Sequence, residues 1–119
     1  MSEEKSVEAV VHLYVEGMAH AHEGALRKAF HPKASVIGNY EGKVEWLSLD
    51  AFVSDVVSQG AAPAGTQPFL QIETLDVTGD AASVKIVDDY AGMRFSDYLS
   101  LLKVEGRWLI VNKVYHLHP

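Results

Sequence analysis

The sequence predicts an α+β domain in which three helices pack on a curved antiparallel sheet, and three observations carry this prediction. Apolar residues recur at helical spacing in the first twenty positions, which is typical of an amphipathic helix. Four β-like segments then follow one another over residues 69–116 with only short turns between them. Short turns require antiparallel neighbours, because parallel strands need a long crossover. Helical segments followed by a run of adjacent strands indicate the α+β class.

Three helices are predicted, each with its own start or stop signal. The first covers residues 3–20 and has two glutamates at the positive end of its dipole. The second covers residues 22–30, and Pro32 is the signal that ends it. The third begins at Ser48, carries apolar residues on one face and stops at Gly60.

Six β-like segments accompany these helices. Two short ones, at residues 34–39 and 44–47, precede the third helix. A loop rich in Gly, Ala and Pro over residues 60–68 separates that helix from the rest of the chain. The four longer strands are predicted at residues 69–77, 82–90, 94–104 and 108–116.

Composition limits the classes of function that need to be considered. The 119 residues fit one domain, residues 1–119, with enough chain to bury a core. A formal charge of −6 without any basic run argues against nucleic-acid binding. The absence of cysteine excludes disulfides and thiolate ligands. Because the amino terminus is polar and no long apolar run occurs, we expect a soluble cytoplasmic protein without a membrane segment.

Several segments together carry a likeness to a known family. They are Tyr14 with Gly17, AFHP at 29–32, LSLD at 47–50, DVTGD at 76–80, DYLSLLKV at 97–104 and GRWLIVNK at 106–113. In these the chain resembles the nuclear transport factor 2-like superfamily, and within it the group named putative lumazine-binding proteins. The resemblance implies a cystatin-like cone with a pocket between helices and sheet, often homodimeric through the sheet. It implies no activity, because this superfold includes isomerases, cyclases, dehydratases and non-enzymatic binders.

Tyr14 and Asp97 are the first candidates for chemistry. Tyr14 lies on the apolar face of the first helix, and Asp97 alternates in phase with Leu99 and Leu101. An acid on an apolar face costs free energy unless it is paired or protonated. Three interpretations are open: a structural carboxylate bonded to Tyr14, Arg94 or a backbone amide, a ligand-binding pair, or a catalytic pair.

The resemblance adds a specific expectation for this pair. Ketosteroid isomerase, a member of the same superfold, uses a Tyr and a protonated Asp as its oxyanion hole. Tyr14 and Asp97 stand at the matching places, but Gly38 stands where that enzyme has its general base. An isomerase, cyclase or dehydratase would therefore need a different base, for which Asp88 and His31 are the candidates.

Other polar residues have less specific interpretations. Alternation places Asp88 on the apolar face of its strand, where a strand-end position near solvent is the favoured interpretation. His31 fits a local cap or turn contact better than a base. His116 and His118 would share one face of a strand, but no strong metal-ligand motif is present. We therefore expect no metal and no cofactor.

The remaining candidates are expected to line a ligand pocket. Lys113 lies on the last strand, where it would reach an anionic ligand or, more commonly for such a residue, stand exposed on the sheet. We expect a small-molecule-binding protein whose ligand is apolar with a polar tip; an enzyme and a protein-interaction module are the alternatives. The residues expected to bind the ligand are Tyr14, Trp46, Phe52, Asp97, Lys113 and Tyr115.

Overall fold

The computed structural model describes residues 2–119 as three helices and six strands, which confirms the predicted α+β class. The predicted bounds differ from these elements by at most four residues at either end. Among residues 2–119, no helix combines the length and apolar character that crossing a bilayer requires. The elements are α1 (Glu3–Ala19), α2 (Glu23–Ala29), β1 (Phe30–Tyr40), β2 (Lys43–Ser48), α3 (Leu49–Gln59), β3 (Leu70–Thr78), β4 (Ala81–Tyr90), β5 (Met93–Val104) and β6 (Arg107–Leu117).

All six strands form one sheet in the order β2-β1-β6-β5-β4-β3. Strands that follow one another across short turns are antiparallel, as the turns predicted. β1 and β6 pair in parallel, so the sheet is mixed. The expectation of a wholly antiparallel sheet is therefore wrong. The chain between these two strands includes α3 and four further strands, which is ample for the crossover that a parallel pair needs.

Local chemistry sets the helix ends. Each helix begins at a side chain that accepts a backbone N–H, and these N-caps are Ser2, His22 and Ser48. α2 ends at Ala29, one residue before the predicted end and three residues before Pro32. Pro32 lies within β1, in the stretch where the pairing with β6 is interrupted. Proline supplies no N–H to a ladder, and an interrupted stretch tolerates it.

The core lies between the helices and the inner face of the sheet. Tyr14 of α1, Phe30 at the start of β1 and Phe52 of α3 meet there. Their ring centroids are 5.5 Å apart for Tyr14 and Phe30, and 5.6 Å apart for Phe30 and Phe52. Aromatic contacts of this kind add to the free energy gained by burial, and here they fix α1 and α3 relative to the sheet.

A β-bulge in β6 decides which of its residues face the core. The register between β5 and β6 shifts at Val111, which is left without a partner in β5. An extra residue reverses the alternation of side chains along a strand. Ile110 and Lys113 are consequently both buried although they are three positions apart, and Tyr115 follows Lys113 to the inner face.

Candidate functional site

A cavity of about 190 Å³ lies between α3 and the inner face of the sheet. Of the residues predicted to bind a ligand, Phe52, Lys113 and Tyr115 line it. The rest of the wall is mainly apolar, with acidic side chains from β2 and α3 and with the neutral polar groups of Tyr40, Gln59 and Tyr90. These further lining residues include Met18, Val36, Leu47, Val56, Phe95, Glu45 and Asp55.

Lys113 brings a positive charge to this wall, and its side chain is only 4 % exposed. Its Nζ lies 3.8 Å from the Sδ of Met18 and 4.8, 5.1 and 5.6 Å from the ring centroids of Phe52, Tyr14 and Tyr115. Ring faces attract a cation, but they and a thioether are weak acceptors for its three N–H groups. Within residues 2–119 no carboxylate oxygen lies within ion-pair distance of this ammonium.

The expectation that Lys113 stands exposed on the sheet is therefore wrong. Strict alternation along β6 from the buried Ile110 would turn Lys113 to the outer face. The bulge at Val111 turns it to the inner face instead.

Glu45 is a second polar group of the cavity wall, and the sequence reasoning missed it. The Tyr115 hydroxyl donates a hydrogen bond to Glu45 Oε1 at 2.6 Å. Burial, followed by this hydrogen bond, raises the pKa of Tyr115 well above its usual value, so the hydroxyl remains a donor. Glu45 shares a half-buried face with Leu47, whereas the apolar Val44 and Trp46 lie on the exposed face, so alternation within β2 did not single out Glu45.

Gly38 makes room for the Tyr115 ring. A Cβ at Gly38 would lie 2.5 Å from atoms of that ring, well inside van der Waals contact. The ring is held from another side by Phe95, with centroids 5.7 Å apart in an edge-to-face arrangement. The place where the ketosteroid isomerase resemblance requires a base is therefore filled by an aromatic ring.

Tyr14 and Asp97 are both fully buried and form a hydrogen-bonded pair. The Tyr14 hydroxyl donates to Asp97 Oδ2 at 2.8 Å, while Arg94 bonds to Asp89 instead. Burial, followed by the charge of Asp97, raises the pKa of Tyr14 well above its usual value. Neither residue of the pair lines the cavity; Lys113, which does, lies over the Tyr14 ring.

Asp88 is 2 % exposed, so the expectation of a solvent-exposed strand end is wrong. β4 continues to Tyr90, and both β3 and β5 pair with it at Asp88, which buries the position. Because Ile86 pairs with Asp97, Asp88 is the diagonal neighbour of Asp97 on the same face of the sheet.

Asp88 and Asp97 each have one buried carboxyl oxygen, Oδ1, that receives no hydrogen bond from the described residues. Desolvation, followed by the charge of Asp97, raises the pKa of Asp88 to about 8. At neutral pH the carboxyl group of Asp88 is accordingly mostly protonated.

The other predicted residues are not brought to the cavity. Trp46 lies on the outer face of β2 and is 72 % exposed. His31 Nδ1 accepts a hydrogen bond from the Lys33 N–H at 3.0 Å, which is a local turn contact of the kind expected. His118 Nε2 lies 2.9 Å from Ser96 Oγ. Within residues 2–119, no three His, Asp or Glu side chains come together as metal ligands.

Comparison with known proteins identifies the family. Residues 2–116 match the family model described as "Putative lumazine-binding". A crystallised NTF2-like protein of unknown function from Silicibacter pomeroyi DSS-3 is 40% identical, with 99% of this chain and 100% of that chain covered and a TM-score of 0.91. Another, from Shewanella baltica OS155, is 32% identical, with 98% and 94% covered and a TM-score of 0.87.

A curated relative extends the comparison to a named protein. Aldolase FrzH of Cladobotryum sp is 27% identical over 120 residues, which cover 99% of this chain and 94% of that protein. The family match spans nearly the whole chain and agrees with the fold of both crystallised relatives. The chain belongs to the putative lumazine-binding family of the nuclear transport factor 2-like superfamily.

Proposed function

We propose that the protein binds a small neutral carbonyl compound in the cavity, with Lys113 as the donor to the carbonyl oxygen. The observation that carries this proposal is the buried ammonium of Lys113 at the cavity wall. Its contacts within residues 2–119 are one sulfur atom and three aromatic rings. Burying a charged donor costs free energy unless it is hydrogen-bonded, and a ligand oxygen supplies that bond.

The size of the cavity limits the ligand to about one ring. Its volume of about 190 Å³ is somewhat larger than the roughly 150 Å³ cavity that accepts benzene. It is smaller than the roughly 300–1,000 Å³ typical of sites for drug-sized ligands. An apolar ring with a polar tip fits this space and its mainly apolar wall.

The charges around the cavity favour a neutral ligand over a carboxylate. Glu45 and Asp55 both line the wall and would repel a second anion. A carbonyl oxygen accepts from Lys113 without bringing a charge. The relative named an aldolase supports the same ligand class, because aldol chemistry takes place beside a carbonyl group.

The geometry favours binding over the alternative of an isomerase, cyclase or dehydratase that uses Tyr14 and Asp97. Neither residue lines the cavity, and the Tyr14 hydroxyl already donates to Asp97. An oxyanion hole needs donors that point at the reacting atom. Among the donors at this wall, Lys113 is the one that carries a charge.

Titration with cyclohexanone tests the proposal. Methylenecyclohexane is the comparison compound, because it has nearly the same shape but lacks the oxygen. We expect cyclohexanone to bind the wild type about tenfold more tightly, and Lys113→Met to remove that difference, because a hydrogen bond to a charged group contributes about 1.5–3 kcal/mol. Binding is measured from NMR chemical-shift changes. Lys85→Met, which removes a lysine from the opposite face of the sheet, should behave as wild type. Equal affinities of wild type and Lys113→Met would refute the proposal.

We also propose that two copies pair through the outer face of the sheet. Trp46, Ile37, Val114 and Tyr98 form a row across four strands on this face, each paired with the next in register. Trp46, Val114 and Tyr98 are 72 %, 42 % and 50 % exposed. A contiguous apolar row without charges is self-complementary, so a second copy related by a two-fold axis would cover it.

Val114→Glu is expected to convert the dimer to a monomer, because the charge would be buried in the contact and lie near its copy across the two-fold axis. Sedimentation equilibrium measures the mass at several concentrations. Val57→Glu places the same charge on an exposed position of α3 and should leave the dimer intact. A wild-type protein that stays monomeric at tens of micromolar would refute the proposed pairing.

A further inference from the structure

We infer that the ligand carries an N–H beside its carbonyl, as a lactam or cyclic imide does, and that this N–H donates to Glu45. The inference rests on the proposed function, in which Lys113 donates to the carbonyl oxygen. It assigns Glu45 as the second polar contact and narrows the ligand from carbonyl compounds in general to cyclic amides.

The two charged groups flank one aromatic ring of the cavity wall. Lys113 Nζ lies 5.6 Å from the centroid of the Tyr115 ring, and Glu45 Oε1 lies 2.6 Å from the hydroxyl of the same ring. Both side chains line the cavity. The wall therefore presents a donor and an acceptor along a single flat surface.

Glu45 retains capacity to accept a further hydrogen bond. The Tyr115 hydroxyl reaches Oε1, and no hydrogen bond from residues 2–119 reaches Oε2. A carboxylate has about four acceptor positions and no donor. Because Glu45 is half-buried, a donor supplied by the ligand would offset part of its desolvation.

The neighbourhood of Glu45 favours a neutral donor over a cation. An ammonium ligand would be attracted by Glu45 but repelled by Lys113, which lines the same small cavity. A ring N–H brings no charge, and in a lactam it lies on the same edge as the C=O. Such a ring is planar at the amide, so its face can pack on Tyr115 and on Phe52, both of which are close to Lys113.

Glutarimide and N-methylglutarimide test the inference, because the second has the same two carbonyl groups and carries N–CH3 in place of the N–H. We expect the wild type to bind glutarimide about 10- to 100-fold more tightly, the range expected for one hydrogen bond to a charged group. Glu45→Met removes both acceptor oxygens and should bring the two affinities close together, and Lys113→Met should weaken both ligands. Glu41→Met makes the same change on the exposed β1–β2 turn and should keep the discrimination. Affinities are measured by NMR titration, as for cyclohexanone.

The outcomes separate the two proposals. Equal wild-type affinities for the two imides, with cyclohexanone still dependent on Lys113, would overturn the N–H contact and leave the carbonyl site standing. Discrimination that survives in a folded Glu45→Met, which has no acceptor at this position, would assign the N–H to another acceptor and overturn the role of Glu45. If that variant fails to fold, Tyr115→Phe replaces it. Loss of the hydroxyl leaves Oε1 of Glu45 without its protein donor, so the preference for glutarimide should persist or increase, and a vanished preference would contradict the inference.

Discussion

The free energy of unfolding of the wild type is expected to fall by about 4 kcal/mol between about pH 5 and pH 8, and Asp88→Asn is expected to remove this pH dependence. The pKa of Asp88 is about 8 in the folded protein and about 3.9 in an unfolded chain. Between these values the folded state holds a proton that the unfolded state has released, so the free energy of unfolding falls by about 1.4 kcal/mol per pH unit as the pH rises. The loss is absent below the unfolded pKa and complete above the folded pKa.

Urea denaturation at several pH values measures this slope. Asparagine at position 88 keeps the shape and can donate its N–H to Asp97 Oδ1, so the variant should unfold with a flatter dependence on pH. Asp89→Asn is the matched control on the exposed face of the same strand. Hydrogen bonds from Arg94 lower the pKa of Asp89, so its contribution is lost only as the pH falls toward that lowered value. A slope that survives in Asp88→Asn would place the proton on another group.

Alternation within single strands was enough to predict the face of the sheet on which Asp88 and Asp97 lie. Successive side chains point to opposite faces, and each aspartate is in phase with apolar neighbours. That the two meet depends on the register that pairs Ile86 with Asp97. Register is a relation between two strands, and neither strand specifies it alone. The burial of Asp88 likewise depends on β3 and β5, which flank it.

Lys113 shows where pattern reasoning along one strand fails. The bulge that turns Lys113 inward leaves Val111 without a pairing partner in β5, and no Gly or Pro in the sequence marks that position. The parallel pairing of β1 with β6 is equally invisible locally, because it joins distant parts of the chain. The face of Glu45 was equally hard to predict, because alternation in β2 offers two faces, one with Val44 and Trp46 and the other with Glu45 and Leu47, and the more apolar of the two is the exposed one.

Tyr14→Phe is expected to lower the free energy of unfolding by about 3 kcal/mol. The change removes the donor to Asp97 Oδ2 and leaves a fully buried carboxylate oxygen without its hydrogen bond. An unsatisfied buried group costs about 1–3 kcal/mol, and a charged one costs more. The aromatic ring is kept, and with it the packing against Phe30, so the substitution isolates the hydroxyl. Urea denaturation near pH 7, followed by tryptophan fluorescence, measures the loss.

Tyr90→Phe is the matched control, because the Tyr90 hydroxyl is buried without a hydrogen-bond partner among the described residues. Its removal should cost nothing or stabilise slightly. A Tyr14→Phe loss no larger than that of Tyr90→Phe would contradict the proposed energetics. Cyclohexanone affinity then decides between the interpretations of the pair. If Tyr14→Phe lowers stability and leaves the affinity unchanged, Tyr14 and Asp97 form a structural contact between α1 and the sheet. If it lowers the affinity and leaves stability unchanged, the pair belongs to the ligand site.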